Sequence, residues 1–389
     1  MSMNKWKNAA IPAILLHVSI GSVYAFSLFA KPISEYIGKS QSAVQFAFSL
    51  AIFFLGMSAA FGGAIVEKNI HRSTTIGTIC FCGGLLLTAL AVYFKSLPLI
   101  YLGYGAVQGV GLGLIYLSPV KTLMLWFKDN KGLATGISVC AFGFASTIAS
   151  PIITYLTAKV TLPIVFVILA TIYVIPMTIA HFLLHKPDGW VEPQTTSDFH
   201  IKEYLSDKRF VSIWVFFFLN ITCGLALIPI ASPLMTELKI KPALIALVVS
   251  IMGIFNGAGR LVIAALSDKF KKRVTMYYVV FAVSMVTAIC AIFSHSFSMV
   301  ALILISAGYG GGFALLPSLL SDIYGDKNIS KIHGTELSAW SMAGLCGNQL
   351  AMFIQRNTGS YMNVFKVTAV LYLIALAVAF INLNKTKTD

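Results

Sequence analysis

The chain alternates between long apolar segments and short polar connections. Because an α-helix rises 1.5 Å per residue, roughly 20 apolar residues are needed to cross a bilayer core about 30 Å thick. Twelve stretches are long enough, near residues 9–30, 42–66, 73–94, 98–126, 132–157, 161–184, 209–236, 243–266, 274–294, 297–323, 334–357 and 361–382. Their length and the lack of strand-like alternation argue against a β-barrel. The pattern predicts an all-α membrane protein with twelve transmembrane helices.

Composition agrees with a membrane protein, and the distribution of charge indicates its orientation. Of the 389 residues, 58% are hydrophobic and 11% are charged, whereas soluble proteins carry about 25% charged residues. The net charge of +14 comes from an excess of Lys and Arg residues. Most of them lie in predicted connections on the same side of the membrane as the N-terminus. The positive-inside rule then predicts a multi-pass cell (inner) membrane protein with both termini cytoplasmic. The lipid bilayer is an expected partner, and nucleic acid is not.

Sequence motifs for catalysis, metal binding and cofactors are not recognisable. The six cysteines lie inside predicted spans without His or carboxylate residues at ligand spacing, so we expect no metal site and no cofactor. We find no HExxH motif and no nucleophile–base pair, which argues against an enzyme. The glycine-rich stretches lack the Lys-Ser/Thr of a phosphate-binding loop, so we do not expect ATP as the energy source.

The longest polar segment divides the predicted spans into two sets of six. Residues 185–208 are predicted to be a cytoplasmic linker between an N-terminal bundle of residues 1–184 and a C-terminal bundle of residues 209–389. Parallel six-helix repeats are typical of transporters that bind their substrate near the bilayer midplane. The repeat therefore indicates transport.

The two halves carry matching charged residues after their second spans. GGAIVEKNIHRSTTI aligns with VIAALSDKFKKRVTM, so that Glu67 matches Asp268 and Arg72 matches Arg273. These residues are either ordinary cytoplasmic loop charges or latches that hold helix ends together in one conformation, and we favour latches. Acidic residues near two other predicted cytoplasmic helix ends are expected to form gate salt bridges. The predicted gating residues are Glu67, Arg72, Asp268, Arg273, Glu336 and Asp322.

The matching loops resemble the signature of the major facilitator superfamily. The first copy departs from G-x-x-x-D-R-x-G-R-R at Glu67, Lys68 and Asn69. Other stretches are similar to the oxalate:formate antiporter family, namely GSVYAFSLFAKPI, SAVQFAFSL, GLGLIYLSPVKTLMLWFKDNKGLATG, FNGAGRLVIAALSDK and GYGGGFALLPSLLSDIYG. The resemblance spans most of the chain, and it implies two pseudo-symmetric six-helix bundles that transport small carboxylates.

The resemblance also implies substrate-binding residues. Arg260 matches the anion-binding arginine of the family. The other pocket residues that it implies are Tyr24, Gln45, Tyr116, Tyr309, Phe313 and Trp340. Where the family's oxalate exchanger has a lysine three residues after the tryptophan, this chain has Ala343. Because two cations suit a dianion and one arginine suits a single carboxylate, this departure favours formate, pyruvate, lactate or acetate over oxalate.

Helical spacing around Arg260 indicates a cavity. Asn256 and Gly257 lie four and three residues earlier and share the helix face of Arg260. A guanidinium inside a membrane helix is costly unless water, a partner or a ligand compensates it. Arg260 therefore binds either a substrate anion, with Asn256 as a further substrate-binding residue, or a structural partner such as Glu336.

Two basic residues inside the spans are each open to two interpretations. His17 either carries a proton, because imidazole titrates near neutral pH, or forms hydrogen bonds that only support packing. Lys121 either extends to the membrane interface or acts as an inner anion relay in place of the lysine that Ala343 replaces.

We therefore predict a secondary active transporter of small monocarboxylates that works by alternating access and is monomeric. It would exchange its substrate for a counter-anion or carry it together with protons. Alternative functions are a multidrug or other-solute exporter and a transporter-like sensor that binds the anion without moving it. An exporter of cationic drugs usually requires a buried carboxylate, and uptake by the purified protein would exclude a sensor.

Overall fold

The computed structural model describes residues 4–189, 201–270 and 272–383, and within these ranges it contains helices and no strands. The helices are α1 (Trp6–Ile37), α2 (Gln41–Lys68), α3 (Ile70–Tyr93), α4 (Leu97–Trp126), α5 (Lys131–Lys159), α6 (Leu162–Leu183), α7 (Ile201–Ser206), α8 (Lys208–Leu227), α9 (Ala231–Glu237), α10 (Pro242–Ser267), α11 (Val274–Phe293), α12 (His295–Tyr324), α13 (Ile329–Glu336), α14 (Ser338–Thr358) and α15 (Asn363–Leu383). Eleven helices of the described residues are long and apolar enough to cross a membrane. The predicted all-α class is confirmed.

The predicted spans at residues 209–236 and 334–357 are each divided in the structure, the first between α8 and α9 and the second between α13 and α14. The second span also differs in hydropathy. Its first residues belong to α13, which ends at Glu336, and α14 begins only after Leu337. Although α14 has 21 residues, it is not among the eleven apolar helices of the described chain. Polar residues such as Asn348 and Arg356 lower its hydropathy below that of the other long helices.

Local sequence signals explain several helix boundaries. Asn69 lies between α2 and α3, and its side chain accepts a hydrogen bond from the backbone N–H of Arg72 at 2.9 Å. Asp207 accepts the N–H of Arg209 in the same way at the start of α8. These contacts satisfy helix N–H groups that have no partner inside the helix. At the end of α1, Gly38 has a φ of 67°, a left-handed conformation that glycine adopts without steric cost.

Contacts divide the chain into two compact units. The first comprises Met1–Lys128, Ile137–Thr195 and Tyr324–Ser341, and the second comprises Asp129–Gly136, Thr196–Ile323 and Met342–Asp389. Two short segments, Asp129–Gly136 and Tyr324–Ser341, therefore group with helices that are distant from them in sequence. Residues 190–200 of the predicted linker lie outside the described residues, and the domain boundaries at 184 and 209 stay predictions.

In the first unit, α2 packs against both α4 and α13. The contact with α13 is close, because a Cβ at Gly63 would lie only 2.7 Å from the Cα of Lys331. A Cβ at Gly334 would overlap the carbonyl of Ala59. Small residues thus allow the two helix backbones to approach, as is common between membrane helices. This packing turns one side of α13 towards α2 and determines which residues occupy its other side.

Candidate functional site

Arg260 is buried in the second unit, with 1% of its surface exposed. Its Nε donates a hydrogen bond to Oδ1 of Asn256, one turn earlier on α10, at 3.0 Å. The guanidinium carbon lies over two rings of α12, 5.8 Å from the ring centre of Tyr309 and 5.3 Å from that of Phe313. These distances are typical of cation–π contacts. We refer to Asn256, Arg260, Tyr309 and Phe313 as the arginine cluster.

A glycine on α12 makes room for the arginine cluster. A Cβ at Gly310 would overlap the carbonyl oxygen of Asn256, and it would lie 3.0 Å from both Asn256 Oδ1 and Arg260 Cγ. Only hydrogen at this position allows α12 to pack directly on the polar face of α10. The glycine-rich stretch of α12 therefore serves helix packing beside a buried charge.

Asn220 was not predicted, but it lies next to the arginine cluster. It is fully buried on α8, and both polar atoms of its amide have no hydrogen-bond partner within the described residues. A Cβ at Gly312 of α12 would overlap Nδ2 of Asn220. One turn before Asn220 on α8, the ring of Phe217 contacts that of Phe313, with the ring centres 5.1 Å apart. A lone amide in the apolar run FFFLNITCG was the available sequence signal.

Aromatic side chains form a second cluster in the first unit. The rings of Tyr116, Phe142 and Trp340 contact one another edge to face, at centroid distances of 5.7–5.8 Å. His17 packs against Tyr116 at 5.1 Å and against Phe142 at 6.0 Å. We refer to these four residues as the aromatic cluster. Of them, Phe142 was not predicted.

Two other predicted pocket residues of the first unit differ in their placement. Tyr24 contacts Phe142 at 5.2 Å, and its buried hydroxyl has no hydrogen-bond partner within the described residues. Gln45 lies exposed near the start of α2. The structure therefore brings Tyr24, but not Gln45, to the aromatic cluster.

The hydrogen bonds of His17 satisfy a neutral imidazole. Its Nε2 faces the carbonyl oxygen of Tyr116 at 3.3 Å, and its Nδ1 faces the hydroxyl of Ser138 at 2.6 Å. Because a carbonyl can only accept, Nε2 carries a hydrogen, and in the neutral ring Nδ1 accepts from the Ser138 hydroxyl. This geometry gives each nitrogen of the neutral ring a partner, as the packing interpretation of His17 requires.

Lys121 forms a buried ion pair with Glu67. The ammonium nitrogen lies 2.5 Å from Glu67 Oε2, and the two side chains are 4% and 8% exposed. Glu67 Oε1 also accepts the backbone N–H of Ser330, in the first turn of α13, at 2.7 Å. Lys121 therefore does not extend to the membrane interface. Burial and the charge of Lys121 lower the pKa of nearby Lys186 to about 8, although Glu67 opposes this shift.

In the second unit, Asp268 connects two helices and an arginine. Its carboxylate accepts the backbone N–H groups of Gly132 and Leu133, at the start of α5, at 2.8 and 2.9 Å. It also accepts from Arg273 Nη1 at 2.8 Å, and Arg273 Nε donates to Asp322 at 2.7 Å. A carboxylate at a helix N-terminus is favourable, because the N–H groups and the helix dipole are positive there.

The matching residues of the two halves do not have identical partners. Glu67 and Asp268 each accept N–H groups at the start of a helix that is distant in sequence. However, Asp268 pairs with Arg273, whereas the side chain of Arg72 is exposed and Glu67 pairs with Lys121. Glu336 is fully buried, and its carboxylate accepts no hydrogen bond from the described residues. The predicted gate salt bridge of Glu336 is thus not found there.

Over the described part of the chain, no group of three or more His, Cys, Asp or Glu residues is placed to hold a metal ion.

Comparisons with known proteins relate this chain to transporters. The pattern of the Major Facilitator Superfamily matches residues 13–334 and 213–389. The chain is 28% identical over 388 residues to the oxalate:formate antiporter of Oxalobacter formigenes, which covers 97% of this chain and 91% of that protein. It is 23% identical to monocarboxylate transporter 12 of Xenopus laevis, covering 76% and 71%. The fold is similar to the crystal structure of the transporter FucP in the outward conformation, with a TM-score of 0.73 at 14% identity and coverage of 95% and 98%.

Proposed function

Because the chain belongs to the major facilitator superfamily, we propose that it transports a small monocarboxylate such as formate, acetate, lactate or pyruvate by alternating access. The family and the apolar helices make it a multi-pass membrane transporter and not an enzyme. The predicted fold class is confirmed by the family match and by the fold of FucP. The substrate, the coupling and the binding residues are the proposed parts.

The observation that carries the proposal is the buried arginine cluster. Arg260 is 1% exposed within an apolar helix, where a permanent charge is costly unless water, a partner or a ligand compensates it. A guanidinium binds a carboxylate through two parallel, charge-assisted hydrogen bonds. The rings of Tyr309 and Phe313 against the guanidinium provide apolar surface for the carbon skeleton of a small acid.

The number of available cations favours a single carboxylate. Ala343 is fully buried and apolar at the position where the resemblance implies a second cation in oxalate exchange. Lys121 does not replace that cation, because Glu67 neutralises it. The printed names of two relatives contain small carboxylates: one is an oxalate:formate antiporter and another is a monocarboxylate transporter. We therefore propose weaker binding of oxalate than of monocarboxylates.

Thermal unfolding of the purified protein tests the substrate class. A ligand at a hundred times its dissociation constant stabilises the folded state by about 2.7 kcal/mol, which a melting curve detects. We expect formate, acetate, lactate or pyruvate to raise the melting temperature more than oxalate does. A shift with lipophilic cations and none with carboxylates would contradict the proposal. Liposomes that contain the protein are then tested for uptake of the acid that raised the melting temperature. Uptake would identify a transporter, whereas an anion sensor would bind the acid without moving it.

Asn220 is expected to contribute to affinity without stabilising the fold. In Asn220→Leu, an apolar side chain of similar size replaces a buried amide that has no partner in the described structure. Since an unsatisfied amide is costly to bury, the melting temperature without ligand should stay the same or rise. Monocarboxylate affinity should fall about tenfold, the worth of one hydrogen bond to a charged ligand. Unchanged affinity in a ligand titration would remove Asn220 from the site.

For the orientation, we propose a monomer in the cell membrane with both termini cytoplasmic. The positive-inside distribution of Lys and Arg supports this orientation. A C-terminal fusion to a reporter that fluoresces only in the cytoplasm should be fluorescent. If the fusion is expressed at a normal level but does not fluoresce, the proposed cytoplasmic C-terminus is wrong.

A further inference from the structure

Glu336 is a buried acidic residue whose environment differs from that of every paired carboxylate described above. Glu67 and Glu336 are the acidic residues buried within the described chain, with exposures of 6% and 0%. Glu67 accepts hydrogen bonds from Lys121 and Ser330, whereas neither oxygen of Glu336 has a hydrogen-bond partner in the described residues. An ionised carboxylate is costly to bury without donors, while the protonated acid is neutral. The environment of Glu336 thus suits a carboxyl group that holds a proton.

The side of α13 that carries Glu336 is the side that contacts the aromatic cluster. His333 lies three residues before Glu336, so these two side chains share one face of α13, and Trp340 follows in the first turn of α14. The rings of His333 and Trp340 contact Tyr116 at 6.0 and 5.8 Å. The opposite side of α13 packs on α2, where Gly334 meets Ala59. Glu336 is therefore adjacent to residues proposed to line the substrate path, and not to lipid.

The charged residues on the helices around Glu336 are paired with each other or at least partly exposed, so we expect none of them to fix its protonation state. On α2 and α4, the helices packed against α13, the buried charges are Glu67 and Lys121, which neutralise each other. Lys68 ends α2 with an exposed side chain, and Lys331 lies near the start of α13. The nearby titratable groups that are neutral at neutral pH include Tyr116 of the aromatic cluster. His17, which hydrogen-bonds as a neutral ring, belongs to the same cluster. His333 has a buried Nε2 without a partner in the described residues, one turn from Glu336.

We propose that Glu336 is the proton-binding site that couples monocarboxylate transport to a proton gradient, which makes the protein a proton symporter. This assignment rests on the proposed monocarboxylate transport. Glu336 takes up one proton from the side to which the site is open, and the carboxylate of the substrate pairs with Arg260. Both are released on the other side, so one proton and one anion cross together without net charge. His17 is not needed, because its hydrogen bonds already satisfy the neutral ring.

The test uses the full-length protein in liposomes with radiolabelled pyruvate, which is almost entirely anionic at neutral pH and therefore crosses lipid slowly unaided. With the outside one pH unit more acidic, the wild type should accumulate pyruvate about tenfold, the ratio that one proton per anion sets. A pH-sensitive dye inside the liposomes should report acidification that requires pyruvate. A protonophore together with a potassium ionophore should abolish the accumulation.

The variant Glu336→Gln imitates the protonated side chain and cannot release a proton. It should exchange internal for external pyruvate within about threefold of the wild-type rate, while its accumulation ratio falls to about 1. Glu35→Gln makes the same change at a carboxylate that is 68% exposed and paired with Lys31, and it should accumulate pyruvate normally. If Glu336→Gln does not fold, Glu336→Asp replaces it and should accumulate pyruvate with an altered pH dependence.

The outcomes separate this proposal from the proposed function. Exchange of pyruvate by the wild type without accumulation under the pH gradient, and without acidification that requires pyruvate, would overturn the coupling proposal and leave monocarboxylate transport intact. Normal accumulation by Glu336→Gln, an unchanged pH dependence in Glu336→Asp, or loss of exchange by a folded variant would likewise remove Glu336 as the proton site. If the wild type neither binds nor exchanges formate, acetate, lactate or pyruvate, the proposed function itself fails.

Discussion

Replacing Arg260 by glutamine is expected to reduce both binding and uptake of the monocarboxylate by at least about a hundredfold. Glutamine keeps a polar side chain but loses the charge and the two parallel donors that hold a carboxylate. A hundredfold loss corresponds to about 2.7 kcal/mol, a reasonable magnitude for a buried, charge-assisted contact. Arg260→Lys should recover little, because an ammonium group is a point charge without the planar fork of arginine.

The measurements for this variant are the ligand-induced shift in melting temperature and the initial uptake rate in liposomes. Arg356→Gln makes the same substitution at an exposed arginine in the last turn of α14 and serves as the control. Comparing the melting temperatures without ligand separates a binding effect from a loss of fold. If folded Arg260→Gln responds to the acid as strongly as the wild type, Arg260 is structural and the proposed binding site is wrong.

The largest loss of stability is expected from Asp268→Ala. The Asp268 side chain is 9% exposed, and it holds Arg273 and the first N–H groups of α5. Removing it leaves two helix N–H groups and one nitrogen of Arg273 without their carboxylate acceptor, while Asp322 still neutralises Arg273, so we expect a cost of about 1–3 kcal/mol. We expect a clear decrease in melting temperature, and we propose that transport slows because this contact is part of the gate. Asp188→Ala, at an exposed acidic residue, should have no effect.

Gly132→Ala tests the same contact from the other side. A Cβ there would overlap the carbonyl of Ala264 and lie 2.8 Å from both Arg273 Nη1 and Asp268 Oδ1. Because both substitutions disrupt one contact, their effects should be less than additive in the double variant. Strictly additive losses of stability would show that Gly132 and Asp268 act separately.

Much of the fold was predictable because membrane helices depend on local properties of the chain. The length of each apolar run sets whether a helix can cross the bilayer, and eleven of the described helices meet that requirement. The exception, residues 334–357, mixes small and polar residues, so that its hydropathy does not reveal the break at Leu337. The spacing of four residues likewise placed Asn256 beside Arg260, as the hydrogen bond between them shows.

The partners of the buried polar residues were not predictable in the same way. Sequence offered two interpretations for Lys121, and neither included the ion pair with Glu67. Similarly, a lone amide at Asn220 gives no indication of which helix it faces, and the close approach of Gly312 shows that this helix is α12. These pairings join residues on different helices, so the period of a single helix contains no information about them.

The sequence by itself determined that this is a membrane protein, where its helices approximately lie, and the family resemblance that identified Arg260 as a candidate binding residue. Each of these depends on hydropathy or on spacing within one segment. Only the tertiary structure decided that Lys121 is neutralised by Glu67, that Phe142 and Trp340 pack on Tyr116, and that Glu336 is buried without a donor among the described residues. The physical reason is that a buried charge or amide is stabilised by whatever the neighbouring helices present to it, and helix packing determines those neighbours.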